Sequence, residues 1–287
     1  MCGIVAYKDT TVYALIEDLK EAWTLMSHRG TDSYGALLIN DEGEIKILKA
    51  LSDDDLLKQL KTQKDNEFKY VVAHNRAASI GDINLNLAHP IKKGNVIVIH
   101  NGTNANLLNI VTNAESDTEA IAKILNERNN DFVKNYINDW LDGSGVIIGY
   151  DIEKHKWLFW KDKSRPLVKV KSTKDIYSEP FVIGERYNII NDTRTLIERK
   201  KFDHLFMKGK SFKIDEILYP GYCLTCKRRM LVDCIETQPV KKKYKKHISN
   251  NNYIWSNIPE DIYWYKDSQN SYEHYEDLCW ECALKVK

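Results

Sequence analysis

The chain has 287 residues, 43% of them hydrophobic, enough for one large core with a small appendage. Lys and Arg number 42 against 41 Asp and Glu, so no overall field holds the chain on nucleic acid or an anionic membrane, and partner choice falls to local features. No basic segment leading into an apolar run opens the sequence and no stretch of about 18 apolar residues occurs, so neither a signal peptide nor a membrane-spanning helix is indicated and a soluble, cytoplasmic protein is the expectation.

In chain order, a short apolar strand is predicted at 3–7. Val12, Leu15, Ile16, Leu19, Trp23 and Met26 then recur at helical spacing, which predicts a helix with one buried face and Gly30 at its C-cap. Strands follow at 34–39, 44–48, 70–74 and 96–100, then helices at 116–128 and 131–140. Further strands are predicted at 145–151, 156–161, 167–171, 176–178 and 187–190. Strands come in clusters with helices between the clusters, a pattern of packed, mostly antiparallel sheets with helices outside them rather than a doubly wound parallel sheet. The composition shifts after Tyr219, which places a domain boundary between 1–219 and 220–287.

Six cysteines are present, and they are not spread evenly. Cys2 stands alone, whereas Cys223, Cys226, Cys234, Cys279 and Cys282 gather near the C-terminus, which favours thiol chemistry or metal binding over distributed disulfides. Methionine is removed from an initiator position when a small residue follows, so loss of Met1 would leave a thiol and an α-amine on one residue. That amine titrates near 7.7–8.0 in small peptides, so it can take the thiol proton itself or through a water. Alone, Met1-Cys2-Gly3 is equally a chance start leading into a strand.

Other segments follow in a set order: His28-Arg29-Gly30-Thr31-Asp32-Ser33, His74-Asn75-Arg76-Ala77-Ala78-Ser79-Ile80-Gly81, Ala88-His89-Pro90, His100-Asn101-Gly102-Thr103-Asn104 and Ser116-Asp117-Thr118-Glu119. In isolation each has an ordinary reading. Arg76 is a solvated arginine at a strand end, Asn101-Gly102 a tight turn with positive φ, and Ser116 with Glu119 a capping box. Together with Cys2-Gly3-Ile4, and with Lys163 to Leu167 and Ser178-Glu179-Pro180 later, they resemble the glutaminase domain of class II glutamine amidotransferases. That group includes aminosugar synthase, purine amidophosphoribosyltransferase and asparagine synthetase, and the likeness spans roughly residues 2–220.

The resemblance implies a four-layer αββα sandwich of the α+β class, the N-terminal nucleophile hydrolase fold. It also implies hydrolysis of the side-chain amide of L-glutamine through a γ-glutamyl thioester on Cys2. It gives Asn101 (side-chain amide) and Gly102 (backbone N–H) the role of oxyanion donors, Arg76 the substrate α-carboxylate and Asp117 its α-ammonium. Ser79 adds a hydroxyl, and His28, Arg29 and Gly30 form a loop shaping the pocket. His74, His89 and His100 read as structural. Aminosugar synthases differ in carrying an aromatic residue after the arginine and a histidine before the glycine, where Ala77 and Ile80 stand here. The glutaminase chemistry needs no cofactor.

Cys223-x-x-Cys226 and Cys279-x-x-Cys282 have the form of two knuckles of a structural zinc site, although their separation exceeds the about 15–20 residues usual for a ribbon. An iron–sulfur centre, a labile disulfide pair and free thiols remain alternatives, and Cys234, His247 and His274 are substitute ligands. The basic run at 241–246 and the aromatic residues after it fit a solvated loop beside a small aromatic core better than a nucleic-acid surface. The residues after 219 are too few for a synthetase domain, so ammonia is expected to pass to a synthetase on a separate chain. Two other readings stay open: a stand-alone γ-glutamyl amide hydrolase, and a non-catalytic binding or scaffold protein that kept the fold.

Overall fold

The structure, a computed structural model, describes residues 2–63, 67–141, 145–162, 165, 167–179, 185–193, 195–206 and 208–213, and beyond them short strands at 220–222, 229–231, 254–255, 263–266 and 277–278. The first half runs β1 (Gly3–Thr11), α1 (Val12–Leu25), a 3₁₀ turn at Ser27–Arg29, β2 (Ser33–Ile39), β3 (Ile45–Ala50), α2 (Asp53–Lys61), β4 (Glu67–Arg76), β5 (Ile91–Lys93) and β6 (Val96–Asn101). It continues with α3 (Leu107–Ile110), α4 (Asp117–Asn126), α5 (Asp131–Leu141), β7 (Val146–Asp151), β8 (Lys156–Lys161), β9 (Val168–Val170), β10 (Ile176–Tyr177), β11 (Arg186–Ile190), β12 (Ile197–Arg199) and β13 (Lys208–Lys213).

These strands make two antiparallel sheets. One has eight strands in the order β13-β11-β9-β10-β1-β4-β2-β3, and the other has five in the order β12-β8-β7-β6-β5. Alternation along each strand divides the core into three layers. Val5 and Tyr7 of β1 and Val71 and Ala73 of β4 face Leu15, Leu19 and Trp23 of α1 and Leu56 and Leu60 of α2. Ile4, Ala6 and Val72 point the other way, against Ile97 and Ile99 of β6, Ile148 of β7 and Trp157 and Phe159 of β8. On the far side of the second sheet Val98, Ile147, Leu158 and Trp160 pack against Ile121 and Leu125 of α4 and Ile137 and Leu141 of α5. The layers are therefore helices, sheet, sheet, helices. Both faces of the central strands are covered, so they read as unbroken apolar runs and not as the alternation of a half-solvated sheet.

Two local differences from the sequence reading have simple causes. α1 ends at Leu25, and Gly30 closes the 3₁₀ turn that follows rather than the helix itself. α2 carries no signal beyond Ser52, whose hydroxyl accepts from the Asp55 N–H at 3.2 Å, and three leucines, Leu56, Leu57 and Leu60, on one face. Its remaining positions are polar, so it gave no long periodic run. Among the described residues no helix is long and apolar enough to cross a membrane.

Candidate active site

Antiparallel pairing of β1 with β4 sets Gly3 opposite Asn75, which brings the start of β1 beside the end of β4. A side chain on Gly3 would overlap Asn75 Oδ1, so only glycine leaves room for that amide. Asn75 Nδ2 then donates to the carbonyls of Met26 (3.2 Å) and Gly30 (2.8 Å), tying the 3₁₀ turn to the strand end. A Cβ on Gly30 would strike the backbone of Arg76 and Ala77, so glycine is needed there for close approach.

Cys2 lies buried at this junction. Its Sγ is 3.4 Å from the Ala77 N–H donor and 3.6 Å from the Ala77 carbonyl. Burial raises the thiol pKa; the Ala77 N–H, the terminal amine, Arg29 and Arg76 oppose this without cancelling it. The thiol is thus mostly protonated near neutrality, and forming the thiolate requires a base.

From the second sheet, Asn101 reaches the same point as the last residue of β6. Its Oδ1 accepts from the Cys2 nitrogen at 3.2 Å. This contact settles the orientation of the amide: oxygen toward Cys2, Nδ2 away from it. Nδ2 is buried and has no hydrogen-bond partner among the described residues. A buried donor without an acceptor costs on the order of 1–3 kcal/mol, which an incoming oxygen would recover. Gly102 follows directly, half-buried, and its φ is not positive, so the tight-turn reading of Asn101-Gly102 does not hold.

Arg76 ends β4 and is 4% exposed, which overturns its reading as a solvated arginine. Its Nη1 donates to the Asp82 carbonyl (2.9 Å) and its Nη2 to the Ile80 carbonyl (2.7 Å), shaping the loop 77–82. Each Nη keeps a second hydrogen for another acceptor. Ser79, on that loop, lies 3.0 Å from the hydroxyl of Thr103, just past Gly102, so the two sides of the mouth touch. Asp32 supports the loop by accepting from the Ala78 N–H at 2.8 Å.

Asp117 opens α4, with Ser116 as its N-cap. The capping box is shifted: Ser116 Oγ accepts from the Glu119 N–H (3.2 Å), but Glu119 returns the bond to the Glu115 N–H (3.0 Å). Asp117 itself is buried and accepts from the N–H groups of Asn104 and Thr118, both at 2.8 Å. Asn104 Nδ2 donates in turn to the Trp140 carbonyl at 2.8 Å, anchoring the site to the end of α5.

Of the predicted pocket loop, Arg29 is buried, with Nε donating to the Cys2 carbonyl at 3.0 Å and Nη1 to Glu179 at 2.9 Å. The backbone of His28 belongs to the 3₁₀ turn. Glu179, Asn75 and Asn104 are positioning residues that sequence reasoning did not assign; each stood inside a quoted motif, but only the fold reveals its partner. Histidines 74, 89 and 100 are buried between the sheets, in keeping with a structural reading. Cys223, Cys226, Cys234, Cys279 and Cys282, with His247 and His274, lie outside the described residues.

No family model matches the chain. It is similar to the glutamine–fructose-6-phosphate aminotransferase (isomerizing) of Buchnera aphidicola from Acyrthosiphon pisum, 27% identical over 233 residues, covering 75% of this chain and 37% of that protein. The namesake enzyme of Helicobacter pylori is 28% identical over 194 residues, 62% of this chain and 32% of its own. Among solved structures, a glutamine phosphoribosylpyrophosphate amidotransferase from B. subtilis covers 69% of this chain and 49% of its own at a TM-score of 0.47 and 15% identity. The chain thus spans about a third of the length of these curated relatives. Over these residues the chain is similar in sequence to glutamine-dependent aminotransferases, and the fold gathers around Cys2 motifs that carry its resemblance to class II glutamine amidotransferases.

Proposed function

We propose that the chain, once Met1 is removed, hydrolyses the side-chain amide of L-glutamine and supplies the ammonia to a synthetase on a separate chain. The observation that carries this reading is the pairing of Cys2 with Asn101: the nitrogen that becomes the α-amine is held at 3.2 Å by Oδ1, while Nδ2 is buried with no partner among the described residues. The amine takes the thiol proton, and Sγ attacks the amide carbon. The oxygen, now negative, is met by Asn101 Nδ2 and the Gly102 N–H. As the tetrahedral species collapses, the C–N bond breaks and the α-ammonium returns the proton to the departing nitrogen, so ammonia leaves and a γ-glutamyl thioester remains. Water, activated by the same amine, cleaves the thioester to glutamate and restores the thiol.

Arg76 offers its remaining Nη hydrogens to the α-carboxylate, Asp117 accepts from the α-ammonium, and the Ser79 hydroxyl, 3.0 Å from that of Thr103, adds a polar group at the mouth. Arg29 is a positioning residue that fixes the Cys2 carbonyl. The order of layers, with the nucleophile opening a central strand, is that expected of the N-terminal nucleophile hydrolase fold.

The test is glutamate release from L-glutamine by the mature chain, by Cys2→Ala, and by a preparation shown by intact mass to retain Met1. Release by the mature chain alone is expected; turnover by either of the other two would sink the reading. Substituted γ-glutamyl amides as competing substrates show whether the small Ala77 beside Sγ admits a bulkier leaving group.

A structural zinc held by Cys223, Cys226, Cys279 and Cys282 is proposed on their paired spacing alone. Elemental analysis is expected to find one zinc per chain, lost in Cys223→Ser; metal-free chains would rule it out.

A further inference from the structure

A cavity of about 330 Å³ lies where the edge strands of the two sheets, β3 and β5, meet under the start of α4. Ile47, Leu87, Pro90 and Ile91 give it an apolar lining, and Lys49, Lys92 and Lys93 line it as well. That volume is at the lower end of those that hold small organic ligands, about 300–1,000 Å³.

The charges of the cavity do not cancel. Two carboxylates, Glu115 and Glu119, stand among these lysines. Glu119 is fully engaged: Lys93 reaches it at 2.8 Å and Lys123 at 2.9 Å, and its other oxygen accepts from the Glu115 N–H at 3.0 Å. Burial opposes its ionisation, but these three donors outweigh burial and hold its pKa at about 2. Lys49 has a backbone carbonyl, that of Asn86 at 3.2 Å, in place of a carboxylate. Burial and, less strongly, Lys93 bring the Lys49 pKa down to about 8. An ammonium that is partly desolvated, beside a second one and with only a carbonyl to meet it, is stabilised by an anion.

We propose that this cavity binds a small organic anion, a carboxylate or phosphate group seated on Lys49 and Lys92 with an apolar body against Ile47, Pro90 and Ile91. The site is separate from the one around Cys2 and does not require that one to work. The two adjoin at the first turn of α4, where Asp117 belongs to the one and Glu119 to the other.

Calorimetric titration of the full chain at pH 7 with butyl phosphate, pentanoate and inorganic phosphate tests the proposal. At least one of the two tailed anions is expected to bind ten-fold or more tightly than inorganic phosphate. Lys49→Gln is expected to weaken that binding at least ten-fold, and the exposed Lys92→Gln, which leaves the fold undisturbed, several-fold. The same titration on the Cys2→Ala chain is expected to give unchanged affinities, so a failure of the glutaminase reading does not carry over. Absence of binding by both tailed anions, affinities no better than that of inorganic phosphate, or unaltered binding in both lysine variants would overturn it.

Discussion

Asn101 meets two demands with one amide. Its oxygen holds the Cys2 nitrogen at 3.2 Å, and because that end is occupied, the Nδ2 hydrogens face the other way, where no partner stands among the described residues. Asn101→Ala removes both functions, whereas Asn101→Asp keeps an acceptor for Cys2 and removes the donor. If the donor acts on the developing oxyanion, both variants lose about 10²–10³ in kcat with a much smaller change in KM, because the bond is realised in the transition state. Steady-state glutaminase kinetics of the two variants check this; an aspartate variant of near-normal kcat would remove Nδ2 from the mechanism. At this scale the sequence nominates Cys2, Arg76, Asn101, Gly102 and Asp117 because each belongs to a short ordered motif. Arg29 and Glu179 were not legible as a pair, since 150 residues separate them and nothing local in either segment names the other.

Among the elements, legibility followed the amount of apolar surface each strand or helix buries within its own segment. β8 was read with its observed bounds, Lys156–Lys161, because Trp157, Leu158, Phe159 and Trp160 fill layers on both its faces. α4 was bounded correctly at its start because Ser116 caps it, but the predicted helix overran its end by two residues, where the last turn tightens at Glu127. The short strands β5, β12 and β13 went unread. They lie at sheet edges, where the ladder with a neighbour and not an apolar pattern defines them, and three-residue β5 and β12 are too short to show any period. The missed β5 matters for chemistry as well as topology, since it carries Lys92 and Lys93 to the anion cavity. The turn after α1 failed for a different reason: Met26 and Gly30 continued a helical pattern that Asn75, on a strand far away in sequence, interrupts by claiming the Met26 and Gly30 carbonyls.

At the scale of the whole molecule, the two sheets meet through histidines. His74 Nε2 of β4 lies 3.2 Å from the His100 carbonyl of β6, and His89 Nδ1 lies 3.2 Å from the same Nε2. A carbonyl only accepts, so Nε2 of His74 carries the proton; its Nδ1, which has no partner among the described residues, is then a bare acceptor, and His89 Nδ1 accepts too. Both rings are neutral in this network: a proton added at Nδ1 of His74 would meet no acceptor among the described residues, and one added at Nδ1 of His89 would face the His74 N–H. Burial, reinforced by Arg76 and His100, brings the His74 pKa down to about 3, and burial with the nearby His74, His100, Arg76 and Lys49 holds His89 well below its ordinary value. In the unfolded chain both rings titrate near 6.5, so below that pH the unfolded state binds more protons than the folded one. The stability these rings contribute is therefore complete above about pH 6.5 and falls as pH drops toward the folded-state values. Two such rings lower the stability by roughly 2 kcal/mol between pH 6 and pH 5, before most carboxylates take up protons. Urea unfolding at pH 7, 6 and 5 should show that decline, and His89→Asn, compared over the same pH steps, should show about half of it. A midpoint that does not move between pH 7 and 5 would mean that these rings accept protons in the folded state, and the neutral bridge between the sheets would have to be abandoned.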